Sequence, residues 1–112
     1  MSNFKDGVIR DHSSIGYGSS IGNIKDGIIR DGQAIGHGRE LGNVKDGLIR
    51  DGQLRGTGRT LFNVKDGVVR NGQSKGTGST IGKVSDFEIK GMERELDEDM
   101  VGTYHFLVKK IV

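Results

Sequence analysis

A phrase of twenty residues recurs four times without insertion. It reads NFKDGVIRDHSSIGYGSSIG from Asn3, NIKDGIIRDGQAIGHGRELG from Asn23, NVKDGLIRDGQLRGTGRTLF from Asn43 and NVKDGVVRNGQSKGTGSTIG from Asn63. A strict period of this length describes stacked or ring-arranged units, each too small to bury a core alone. Period-3.6 patterning is absent, and the recurrent Asp-Gly pairs would interrupt any helix. The units are therefore expected to be strands and turns. A fifth copy begins at Lys83 and decays within KVSDFEIK. The expected organisation is one domain, 1–112, with repeats 3–22, 23–42, 43–62 and 63–82, a degenerate hairpin 83–90 and a separate tail.

Turn chemistry gives a register. Asp-Gly is a strong two-residue hairpin signal, because a type I′ turn needs positive φ at both central positions. In the third copy a turn at Asp46-Gly47 places Val44 opposite Ile49. A second at Asp51-Gly52 would place Ile49 opposite Leu54, and a third at Thr57-Gly58 would place Leu54 opposite Leu61. Those four side chains would then form one apolar row, which predicts a four-stranded antiparallel meander per repeat and sixteen short strands in all. Val8, Ile28, Leu48 and Val68 fall on the opposite face, so each sheet is expected to lie between neighbours.

The tail supplies what the repeats lack. Apolar residues make up only 32% of the chain and glycine 20 of 112, a balance that without periodicity would suggest disorder. After Gly91, MERELDEDMVGTYHFLVKKIV predicts a helix over about 97–112, capped by Asp97, with acids in its first turn and Lys109 and Lys110 in its last. Met100, Tyr104, Leu107, Val108 and Ile111 form one stripe, and Val101, Phe106 and Val112 carry it around the cylinder. A helix apolar nearly all round is a buried helix.

Hairpin-built repeats on one hydrophobic helix resemble the "4-fold beta flower" domain of uncharacterised, mainly Bacteroidetes proteins. The resemblance rests on the Lys-Asp-Gly and Arg-Asp-Gly hairpins and on MVGTYHFLVKKIV. It implies a mostly β fold, with four small sheets as petals around a central C-terminal helix, and it implies no activity. The structural rival is a parallel β-solenoid with twenty-residue coils, which fits I′ hairpins less well.

The chemistry is sparse. His12, His37 and His105 stand at unrelated places, and no HxxxH or paired-carboxylate spacing links them. The recurrent Asp residues are explained by turns rather than calcium loops, since each turn supplies one carboxylate. The Gly-x-Gly pairs precede no helix, so they are turns and not phosphate loops. Their middle residues, Tyr17, His37, Thr57 and Thr77, differ between copies and mark the rim where a binding surface would diverge. Neither an enzyme, a cofactor nor a metal site is expected.

Lys5, Lys25, Lys45 and Lys65 recur at one place, and Arg10, Arg30, Arg50 and Arg70 at another. By symmetry the four arginines are candidates for a ring that holds an anion. Through Gly82 the repeats carry 12 Lys and Arg against 8 acids, a local +4. Interleaved Asp weakens that field, so nucleic acid is not the expected partner. The absence of cysteine, of a signal peptide before MSNFKDGVIR and of any membrane-length apolar run points to a soluble, cytoplasmic chain. Two functions stay open. One is a non-enzymatic domain with a structural or interaction role, toward a protein partner or a second copy. The alternative is a small-ligand or anion binder, the anion being phosphate or a nucleic-acid phosphate, using the repeated Lys and Arg.

Overall fold

The computed structural model describes residues 2–112. The chain folds into one antiparallel sheet whose strands lie in sequence order, followed by a short helix. The strands are β1 Ser2–Lys5, β2 Val8–Asp11, β3 Ser19–Lys25, β4 Ile28–Arg30, β5 Glu40–Lys45, β6 Leu48–Arg50, β7 Thr60–Lys65, β8 Val68–Arg70 and β9 Thr80–Lys83. The sheet is not closed. Its first strand is met by the segment that follows the last: Asn3 forms an isolated parallel bridge with Lys90, and the Phe4 N–H donates to the Lys90 carbonyl at 2.7 Å.

The first hairpin of each repeat has the expected register. Val44 lies opposite Ile49 and Lys45 opposite Leu48. Asp6, Asp26, Asp46 and Asp66 take φ of 51 to 52°, each followed by a glycine at positive φ. Asp tolerates that left-handed conformation and Gly adopts it freely, so the pair selects the turn.

The second and third turns do not form, and there are nine strands among the described residues rather than sixteen. Ile49 pairs with Phe62 and Arg50 with Thr60, while Leu54 is 68% exposed. Asp31 and Asp51 are not among the positive-φ residues, so the same dipeptide makes a hairpin once per repeat and a loop once. Residues 12–18, 31–39, 51–59 and 71–79 are these loops. Each sheet register then slips past one residue, as between Ile49 and Arg50, which bulges Leu61 out of the ladder.

Ile9, Ile29, Ile49 and Val69 are fully buried in one row, with Ile24, Val44 and Val64 beside them. The helix packs on this row. α1 spans Asp97–Thr103 and continues as a π-helical turn, Tyr104–Val108, closed by the Lys109 N–H on the Tyr104 carbonyl at 2.9 Å. It starts where expected but ends at Val108, short of the anticipated 112. Leu96 holds the N-cap place, with no side-chain cap, so Asp97 is the first helical residue and not the cap. The expected hairpin 83–90 is a 3₁₀ turn, Val84–Phe87. Phe87 stands where the other copies have the turn glycine, so positive φ is no longer available cheaply.

Four consecutive side chains of the π-helical turn meet four different walls. The Tyr104 ring lies 5.5 Å from Phe87 and the His105 ring 5.2 Å from Phe62, both edge-on. Phe106 fills the space above Gly42, and Leu107 that above Gly22, where a Cβ would overlap them. An α-helix advances about 100° per residue, and i→i+5 winding advances less. Successive residues therefore point to successive quadrants, and each finds a wall 20 to 25 residues from the last. Gly102 lets α1 lie close on the inner row, where a Cβ would meet Val44, Ile49 and Ile29.

Candidate functional site

The residue that organises each loop is the asparagine that opens each repeat. Asn3, Asn23, Asn43 and Asn63 are all fully buried. Asn43 Nδ2 donates to the carbonyls of Gly52 (3.1 Å) and Thr57 (3.0 Å), and its Oδ1 accepts the Gly56 N–H at 2.8 Å. Asn23 makes the same three bonds to Gly32, His37 and Gly36, each at 3.0 Å. Asn3 and Asn63 repeat them on their own loops. One side chain thus satisfies three backbone groups that no ladder reaches. A signal for this was present, because Asn is a poor strand residue yet holds one place in four strands. The fifth copy has Lys83 there, and no Asn-clamped loop follows.

The clamp folds each loop back against its own hairpin, and the later loops also reach the turn of the hairpin before them. Gly56 sits against the Lys45 side chain, and Arg55 and Lys75 lie over the turn glycines Gly27 and Gly47. A second bond pins each later loop at its base. Asp31, Asp51 and Asn71 accept the backbone N–H of Arg39, Arg59 and Ser79 at 2.7 to 2.8 Å. The sheet is thus covered by loops outside and by the helix inside, instead of by neighbouring sheets. The variable residues remain outward: Tyr17 is 66% exposed, Leu54 68%, Ile35 45% and Ile15 43%.

The arginine candidates occupy equivalent places that are not shared. Arg10, Arg30, Arg50 and Arg70 lie on β2, β4, β6 and β8, each one residue past a fully buried member of the inner row and so on the outer face. An intervening strand separates each from the next, a spacing of roughly 10 Å. Arg30 approaches Glu40 at 3.8 Å. The Nη1 atoms of Arg30 and Arg50 are buried without a hydrogen-bond partner.

Two of the three histidines are engaged by backbone. His12 Nδ1 accepts the Ser14 N–H, and His105 Nδ1 accepts the Ile111 N–H, each at 2.9 Å. Burial, and the Lys110 ammonium, push the His105 imidazole below its ordinary range. At the hairpin end of the molecule, the Glu98 carboxylate accepts the Gly47 N–H at 2.8 Å. Burial, aided by Glu98 and Glu95 and opposed by Arg55, pushes the neighbouring Asp99 up to about 6. Among the described residues no helix is long and apolar enough to cross a membrane. Compared with family models, curated proteins and solved structures, the chain matches none of them.

Proposed function

We propose that the chain is a non-enzymatic interaction domain that presents four clamped loops to a macromolecular partner, on a scaffold of the four-fold beta flower kind. One observation carries this reading. The core positions of the hairpins stay apolar in every copy, whereas the loop positions that change chemical type between copies are exposed, including Ile15, Tyr17, Ile35 and Leu54. Loops held rigidly by a scaffold are where proteins commonly place recognition. Large exposed apolar side chains on otherwise polar loops suit a protein surface better than a phosphate backbone.

The test compares two folded proteins. Tyr17→Ser with Leu54→Ser should leave the melt unchanged, because neither side chain is buried, and should abolish partner retention from the source cell's extract. Identical retained proteins for both forms would overturn the assignment. The unpartnered Nη1 atoms of Arg30 and Arg50 favour a second reading, an anion site on the outer face. Phosphate added at low salt should then shift the Arg30 and Arg50 amide resonances saturably, and unmoved resonances would remove it.

A further inference from the structure

The seam where the sheet fails to close holds a cleft of about 730 Å³. One wall is a stripe of the helix, Asp97, Met100, Tyr104 and Val108. The others are the 3₁₀ turn, residues 88–93 and Ser2 at the start of β1. Its apolar lining comes from the core itself, for Val84, Ile89, Met92 and Met100 line the cleft and are 1 to 8% exposed. The cleft falls within the size range of small-molecule sites, about 300 to 1,000 Å³.

From this apolar lining and the charge at its rim, we infer that the cleft binds a small amphiphilic amine, its apolar body inside and its cation at the rim. Glu88, Glu93 and Asp97 line the cleft and are exposed. The opposing cation is Lys90, whose ammonium donates to the Ser13 carbonyl at 3.0 Å and whose charge also acts on Glu93, leaving three carboxylates against one ammonium. Glu93 is held as a carboxylate by backbone hydrogen bonds, including the Gly91 N–H at 3.2 Å. An excess of carboxylates beside an apolar recess is complementary to an ammonium on a hydrocarbon, and it repels an anion of the same shape. Tyr104 adds an aromatic ring that can receive a cation. A peptide strand is a poorer occupant, since the β1 edge that would pair with it is already bridged by Lys90.

The chain carries methionines at 92 and 100 in the cleft and a third at position 1. Methyl-labelled methionine in the full-length protein therefore reports binding directly. Titration with n-octylammonium should shift the Met92 and Met100 methyl signals saturably. n-Octanol should bind about tenfold more weakly, and n-octyl sulfate more weakly still. Glu88→Gln with Glu93→Gln and Asp97→Asn should bring the ammonium's affinity down to that of the alcohol while leaving the alcohol's unchanged. Should that variant fail to fold, the three ligands on the unmodified protein decide alone. Equal binding of the sulfate and the ammonium, or methyl signals that do not move, would overturn the inference.

Discussion

Asn43 uses one amide to hold two carbonyls and one N–H of its loop, beside the loop's own Asp51–Arg59 and Thr57–Leu54 backbone bonds. Replacing it with Ala leaves those three partly buried groups without that partner, at up to about 1 to 3 kcal/mol for each that water cannot reach. Asn43→Ala should therefore lower the melting temperature by on the order of 10 °C or more in a thermal scan, whereas Gln53→Ala on the same exposed loop should change it little. Asp99 makes the opposite kind of prediction. Its folded pKa, about 6, lies above the ordinary 3.8, so the folded state binds the proton more tightly. Stability therefore falls as pH rises from about 4 to about 6, and the cost is fully present above that window. Asp99→Asn should raise the melting temperature at pH 8, and the gain should vanish near pH 3.5. A constant difference across that range would mean that desolvation of the carboxylate is not the cause. At this scale the turn aspartates were legible, because positive φ has few suppliers. The Asn clamp left one trace, an Asn at the same strand place in every copy, but its partners lie nine to fourteen residues away and no local pattern names them.

Among the elements, the contact between the π-helical turn and the sheet depends on absent side chains. Gly22 and Gly42 make room for Leu107 and Phe106, while Phe62 fills the equivalent place and faces the smaller His105. Gly42→Val should cost ~2 kcal/mol or more by overpacking. Combining it with Phe106→Ala should recover part of that loss, since the two positions share one space. Strictly additive losses in denaturant titrations would show that they do not. The first hairpins could be read directly from Lys-Asp-Gly. The second and third could not, since a dipeptide permits a turn without requiring it, and the clamp stabilises a loop instead. The first copy held the clue: His12 stands where its later copies have Gly32 and Gly52, so that place does not demand positive φ. The tail was legible as a core-forming element from its apolar residues, but not as buried all round, since Val108 and Val112 are 39% and 53% exposed. Its π winding was not, since it answers the angular spacing of the walls.

For the molecule as a whole, the account turns on the relation between repeats and helix. The repeats are poor in apolar residues, and their inner row finds much of its cover in Met100, Val101, Tyr104, Phe106 and Leu107. That dependence was readable in outline, from a tail far more apolar than the text before it. The count of strands was not, and neither was the open seam, because both follow from the loops' folding back over the sheet. The most direct measurement is the melt and amide spectrum of residues 1–91, alone and with a peptide covering 92–112. Without the tail the inner row faces a void, and large cavities are strongly destabilising. The fragment should show no cooperative transition and poorly dispersed amides, and the peptide should restore both. A sharp melt and dispersed spectrum for 1–91 alone would contradict the account, making the helix peripheral to a sheet that stands without it.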